Sequence, residues 1–456
     1  MIIDPSGFTS TNTSEGPLSG LRVIDLSTVF AVPYIGGLLS DMGADVIKIE
    51  SPERLDQTRG GAYGPWLDNV PTEQPWDRSG TFHVINRGKR SLILDLKADA
   101  GRKILRDLVD GADILLDNFT PRVLRGWGLT YDVLAENNRG LIHLSNSGYG
   151  STGPWSEYKA QGTTLEYTMG VGGYSGYRGE PPTKIGQSYP DFLAAWTGAT
   201  AIMAALVHRH RTGEGQWIDM GMYQLGAAVI PEALIATQAG ETDIGRRGND
   251  ELQAYLSGVF ETAESGRWVA ISTDERAWDP DVVPASLDGA AGRAARRQIL
   301  AAWVLAHDPE TLIESLHAWG ATAAPVNDAR DLVLDTQLAH RGFYEWVNVD
   351  ESTDERPVIG TPYLWEAGGS KVYVRSRAPR YGEHNTEILD ELGVPGEEQV
   401  ALIRAGVVTD GPRKPIQASP FNLDVYLKRG VYSSVDADYR RVIREARFAN
   451  RQQENA

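Results

Sequence analysis

The chain has 456 residues, no cysteine, and 44 basic against 61 acidic side chains, for a net charge of −17. Without cysteine there can be no disulfides, thiolate metal sites or thiol nucleophiles, so any thioester chemistry must use a thiol carried by the substrate. The acidic balance argues against nucleic-acid or anionic-membrane binding, because a polyanion would be repelled. The length suits two or three domains at roughly 150 residues each. No uninterrupted apolar run is long enough to span a bilayer. The N-terminal stretch MIIDPSGFTSTNTSEGPLSG lacks the basic start and apolar core of a signal peptide. It reads as a flexible lead-in, and the expected location is cytoplasmic.

From Leu21 the pattern is that of an α/β layer. LRVIDLS is a short, nearly continuous apolar run, as buried parallel strands show. YIGGLLSDMGA follows as a helix that Gly43 is placed to stop, and DVIKIE is a second strand. LILDLK is a third, followed by the helix ADAGRKILRDLVDGA, with Ile104, Leu105 and Leu108 on one face. DILLDNF and LIHLSNSGYG add two strands, with a helical stretch between them. This alternation predicts a parallel sheet covered on both faces. Asp191 to His208 reads as one Ala-rich helix, QWIDMGM as a strand, and Tyr223 to Ala239 as another helix. The character then changes. Alternating apolar residues flank a hairpin expected at Glu264–Gly266, which opens a smaller α+β domain. The tail from Arg356 is expected to pack back on the first domain, and it ends in a strongly charged helix from about Asp436. The division is therefore 1–225, 226–350 and 351–456.

An anionic ligand would need a local basic patch, and Arg87, Lys89 and Arg90 offer one. The glycine cluster GVGGYSG lies far from the first strand, so it is not a dinucleotide loop. It reads as a mobile loop of the kind that closes over reacting groups. His208 and His210 are two apart and fall on different helix faces. No metal constellation forms, and no serine sits in a nucleophile elbow. What remains is carboxylate chemistry.

Seven segments, in order, carry a resemblance: LSGLRVIDLSTVFAVPY, LLSDMGADVIKIE, NRGKRSLILDLKADAGRKIL, ADILLDNFTPRVL, GLIHLSNSGYGSTGP, HRHRTGEGQWIDMGM and RYGEHNTEILDELG. Across roughly Pro17 to Leu392 the chain resembles the family III CoA transferases, which include formyl-CoA and carnitine CoA transferases. The resemblance implies a Rossmann-like large domain formed by both chain ends, a smaller α+β domain, and an interlocked-ring dimer. It implies coenzyme A as a substrate, with no permanently bound cofactor and no metal. It implies a carboxylic acid as acceptor, and either a homodimer or a hetero-oligomer with a related CoA-transferase subunit.

By the same resemblance, Val29 and Ala31 line the turn after the first strand. Leu94 and Lys97 follow the basic patch, and Asn118 with Phe119 lies at a strand end. Arg90 and Lys97 are the expected charges for the CoA phosphates, and Phe119 the face for adenine. The formyl-CoA transferase pattern has a lysine and two arginines where this chain has Ser147, Ser51 and Gly126. Arg125 is the expected substitute for one of them.

The catalytic frame also departs. The family places an aspartate nucleophile in a pattern like TG-x-x-D-G-P-P, and here SGYRGEPP puts Gly179 at the aspartate and Glu180 beside it. Three readings stay open. In one, Glu180 is a displaced nucleophile. In another, Glu166 or Asp191 substitutes, although a helix-borne polar residue and a helix cap are the plainer readings of those two. In the third, the chain is a silent subunit. The branch containing benzylsuccinate CoA-transferase, which pairs two different subunits, is the nearest in pattern. The family's racemases use a His-Asp pair that here is replaced by Gln161 and Gly162, so proton-transfer chemistry lacks its acid and base. Trp155, Tyr167, Tyr174 and Tyr177 flank the expected site and suit a bulky or aromatic acyl group.

Overall fold

A computed structural model describes residues 16–61, 64–186, 189–240, 245–251, 254–274, 282, 289–350, 354–364 and 372–454. The N-terminal lead-in before Gly16 lies outside the described residues. The chain divides into two compact units: 1–169 with 186–229 and 336–456, and 170–185 with 230–335.

The first unit is built on six strands: β1 (Arg22–Asp25), β2 (Asp45–Glu50), β3 (Arg90–Ile93), β4 (Ile114–Asp117), β5 (Ile142–Ser147) and β6 (Gln216–Gly221). All pair in parallel, in the order β3-β2-β1-β4-β5-β6. The winding therefore reverses between β1 and β4. Between the strands run α1 (Ala31–Asp41), α2 (Gly80–Ile85), α3 (Asp99–Asp110), α4 (Pro121–Trp127), α5 (Tyr131–Ala135) and α6 (Gly162–Thr168). The helices α8 (Tyr189–Thr212) and α9 (Met222–Ala228) also belong to this unit, while α7 (Val171–Tyr174) and α10 (Pro231–Gln238) fall in the second.

Strand pattern explains the two-faced burial. Ile24, Leu26, Ile47, Ile49, Leu92, Leu94 and Leu115 point to one side, where they pack with Ile104, Leu105 and Leu108 of α3 and with Ile388, Leu389 and Leu402 from the C-terminal segment. On the other side α1 is buried at all of its residues. Its close neighbour is α8, and a Cβ on Gly198 of α8 would stand 2.6 Å from Ile35 of α1, so only glycine permits that approach. Gly43 ends the α1 region at φ +102, as its place in the sequence suggested. By length and composition α8 would suit a membrane, with a mean hydropathy of 1.3 over its most apolar window, although no uninterrupted apolar run marks it. Here Ala194, Ala195, Gly198, Ile202 and Ala205 of α8 are buried.

The C-terminal segment covers the open edge of β3. The Asn385 carboxamide oxygen accepts the Ile93 N–H (2.9 Å), and His384 exchanges hydrogen bonds with Ser91. An otherwise unpaired edge is thereby closed. The helix expected over Tyr223 to Ala239 is instead two, α9 and α10, because Pro231 interrupts it.

The second unit contains an antiparallel sheet, β7 (Leu256–Glu261), β8 (Trp268–Thr273) and β9 (Thr322–Pro325), covered by α11 (Gly289–Leu305) and α12 (Pro309–Ala318). Its hairpin turns at Gly266, φ +79. The segment Gly170–Ile185, placed from sequence in the large domain, groups with this unit.

Candidate active site

A cavity of ≈ 1060 Å³ opens in the first unit, lined by the loops that follow β1, β2, β3, β4 and β5. It spans the reversal between β1 and β4, the place where open α/β sheets leave a crevice beyond their carboxyl ends.

The β1–α1 turn forms its centre and is held rigidly. Ser27 donates its N–H to Asp25 (2.9 Å) and its hydroxyl to the same oxygen. Lys48 donates to the Ser27 carbonyl (2.8 Å) and pairs with Asp56 (3.4 Å). Asp56 in turn accepts the Val29 N–H through both oxygens, at 3.3 Å each. Val29 has φ 69, a conformation that a β-branched residue strongly disfavours. Asn118 grips Thr28 from both sides, accepting its N–H (3.0 Å) and donating to its carbonyl (2.7 Å). Beneath the turn, Lys89 donates to Asp25 (2.7 Å), to the Pro33 carbonyl (2.7 Å) and to Asn86 (2.8 Å). Its burial lowers its pKa to about 8, despite Asp25.

The expected binding residues fall in two groups. Val29, Ala31, Leu94, Lys97, Asn118 and Phe119 line the cavity. Asn118 does so with its amide committed to Thr28, which gives it a role in shaping the turn. Phe119 meets Trp127 edge to face, ring centres 5.6 Å apart, and both line the wall. Arg90 is a correction. It starts β3 at the end away from the cavity and is bound by Asp45 (2.6 Å), Glu387 (2.9 Å) and Glu391 (2.7 Å). The rest of the supposed basic patch is equally neutralised, Arg87 by Asp41 (2.5 Å) and Lys89 by Asp25. Arg125 is a second correction: it is exposed, pairs with Glu157 (2.6 Å), and does not line the cavity. Arg122, on the same helix, does.

The candidate carboxylates differ sharply. Glu166 is fully buried on α6 and is not part of the cavity wall. Glu180 is exposed in a turn, its N–H bonded to the Tyr177 carbonyl (3.2 Å). Gly179 before it has φ +84, with open space where a Cβ would be. The GVGGYSG stretch forms the short helix α7 rather than an extended loop. Asp191, in the first turn of α8, does line the cavity. Burial raises its pKa to about 6, against hydrogen bonds from its own N–H and that of Ala31, the first residue of α1. A Cβ on Gly162 would collide with its carboxylate.

Asp117, at the end of β4, meets His143 and Ser145 within β5. Ser145 and His143 Nε2 both reach the same Asp117 oxygen, at 2.7 and 2.8 Å. A catalytic relay needs the acid and the hydroxyl on opposite ring nitrogens, so this cluster is a buried brace. Of the aromatic residues expected near the site, Trp155 joins a ring cluster with Tyr149 and Tyr223, and Tyr177 accepts a hydrogen bond from Asn249 (3.1 Å) within the second unit. Among the described residues, no three His, Asp or Glu side chains gather as a metal site.

Sequence reasoning missed Arg54, Arg122, Trp127 and Lys159, all of which line the cavity. The available signal was position alone: each lies shortly after a parallel strand.

A model of CoA-transferase family III matches residues 18–385. The chain is 31% identical over 401 residues to succinate–glutarate CoA-transferase of Agrobacterium fabrum, covering 84% of this chain and 98% of that protein. It is 31% identical over 411 residues to the succinyl-CoA–L-malate CoA-transferase beta subunit of Chloroflexus aurantiacus, covering 86% and 98%. A solved CAIB/BAIF family protein from Brucella suis superposes with a TM-score of 0.73 at 30% identity, covering 83% of this chain and all of that one.

Proposed function

The chain belongs to CoA-transferase family III, and from that premise we propose that it moves CoA from an acyl-CoA donor such as succinyl-CoA to a carboxylic acid, through intermediates on an enzyme carboxylate. The observation that carries this reading is the cavity at the sheet's winding reversal, with its rigid β1–α1 turn, aromatic wall and exposed cations. A relative acting on succinate and glutarate, and another named for succinyl-CoA, support a dicarboxylic donor.

Each step conserves its groups. The enzyme carboxylate attacks the thioester carbonyl and expels CoA thiolate, giving a mixed anhydride. The thiolate attacks the enzyme's carbonyl in that anhydride and releases the donor acid, leaving an enzyme thioester. The acceptor carboxylate then attacks this thioester and regenerates thiolate, which takes the acceptor's acyl group and frees the enzyme carboxylate. Glu180 is the proposed nucleophile. Water must be excluded, or the anhydride hydrolyses.

A second reading has its own support. Gly179 occupies the aspartate position, and its φ of +84 suits glycine. Some relatives are named as alpha or beta subunits. In this reading the chain binds CoA but needs a partner subunit for the covalent chemistry. Both readings keep the family-implied large domain formed by both chain ends, with an interlocked dimer.

Intact-mass analysis of the purified chain after incubation with succinyl-CoA, with and without hydroxylamine, separates them. A hydroxylamine-sensitive CoA adduct at Glu180 supports the first reading. No adduct, with transfer restored by a companion subunit, replaces it with the second.

A further inference from the structure

Four successive strand ends each deliver one cation to the cavity. Arg54 follows β2, Lys97 follows β3, Arg122 lies on α4 after β4, and Lys159 follows β5. All four are exposed, and among the described residues none of them forms an ion pair. The carboxylates in the same wall are otherwise committed. Glu50 is held by Arg59 (2.7 Å), Asp56 by Lys48 (3.4 Å), and Asp95 by Arg413 (3.1 Å), which also binds Glu53. Among the described residues of the wall, Asp191 is the one carboxylate in no ion pair, one charge to set beside the four cations. In a chain of net charge −17, this is a local reversal of sign, and a concave site concentrates such a field.

The polarity is also arranged. Arg54 and Lys97 come from strands on one side of β1, Arg122 and Lys159 from strands on the other. The Phe119–Trp127 wall lies on the second side, with Arg122 and Trp127 on one short helix. Such a layout fits a long ligand bearing a flat ring at one end and several phosphates.

Taking the cavity as the CoA site, as above, we propose that Arg54, Lys97, Arg122 and Lys159 form this chain's own phosphate clamp, with Arg122 holding the 3′-phosphate beside an adenine on the Phe119–Trp127 wall. A phosphomonoester carries roughly −1.5 to −2 charge near neutral pH, and the diphosphate adds to it, so four cations match the load. The guanidinium of Arg122 can bind the 3′-phosphate through two parallel hydrogen bonds.

Calorimetric titration of the full chain with CoA and with dephospho-CoA tests this. The native chain is expected to prefer CoA. Arg122→Gln should weaken CoA binding by about tenfold or more and erase that preference, since it removes a charge-assisted pair, while Arg122→Lys restores part of it. Lys159→Gln and Arg54→Gln should weaken both ligands alike and flatten the salt dependence. Arg125→Gln, whose side chain lies outside the cavity, should change neither. If the native chain binds CoA and Arg122→Gln keeps its preference with an unchanged Tm, the clamp is wrong and the site reading stands. If the native chain binds neither ligand, the site reading fails and takes the clamp with it.

Discussion

Among the described residues, Asp191 is the one carboxylate of the cavity wall with no cation against it, and its replacement by asparagine should make the protein more stable, in a way that depends on pH. Burial lifts its pKa from 3.8 to about 6. At 1.36 kcal/mol per unit, the full shift corresponds to about 3 kcal/mol, and its partial access to water reduces this to about 1–2 kcal/mol. A raised folded-state pKa means that the native protein binds this proton more tightly than the unfolded chain does. The stability Asp191 contributes is therefore complete below pH 3.8 and is lost as the pH rises through about 6. The carboxamide of the Asp191→Asn variant would carry no charge at any pH and could still accept the Ala31 N–H. Thermal unfolding of both proteins from pH 5 to pH 8 should show a Tm gap that opens through pH 6 and then levels, with Asp191→Asn higher by a few degrees, on the order of 2 °C per kcal/mol. CoA affinity at pH 8 should also rise in the variant, because a like charge leaves the cavity. A gap that stays constant with pH, or that favours the native protein at pH 8, would refute the assignment of Asp191 as a desolvated carboxylate.

Three other changes probe the turn, the catalytic frame and the tail. Val29→Gly relieves about 1–2 kcal/mol of left-handed strain against about 0.5–1 kcal/mol of added chain entropy, so its Tm should hold while KM for the acyl-CoA rises; a fall in Tm with KM unchanged would show that the turn is not strained. Gly179→Asp meets open space, and aspartate tolerates φ > 0 better than most residues, so it should cost no more than about 1–2 kcal/mol; in a silent chain it should create a hydroxylamine-sensitive adduct at residue 179, as read by peptide mass mapping. Asn385→Ala leaves the Ile93 N–H without its acceptor in a buried place, so denaturant titration should show a loss of about 1–3 kcal/mol, and no loss would mean that the tail does not brace β3.

The sheet was legible because its strands are buried on both faces. LRVIDLS reads as a nearly continuous apolar run and DVIKIE as a short strand, and even their charged members, Asp25 and Lys48, are inside. The break in the helix after Tyr223 was missed although Pro231 marks it, because the apolar period on both sides concealed it. Grouping the loop at Gly170–Ile185 with the second unit was not legible, because composition shifts only later in the chain.

Charge was where sequence proximity misled. Arg87, Lys89 and Arg90 look like a patch because they are neighbours in the chain, yet their partners come from 46 to 301 residues away, at Asp41, Asp25 and Glu391. A run of cations inside a buried layer has to be neutralised, since an unpaired buried charge is costly. The cations proposed for a ligand are the solitary ones, Arg54, Lys97 and Lys159 in loops and Arg122 at the start of α4, exposed where water can solvate them until an anion arrives. Asn118 carries the same lesson: it looked like a ligand because no local packing explained it, and its partner is the backbone of Thr28, 90 residues earlier. In a parallel sheet, the residues that meet at the strand ends are necessarily distant in sequence. Clustering along the chain is therefore evidence for mutual neutralisation at the strand starts, and dispersal over successive strand ends is the better sign of a site.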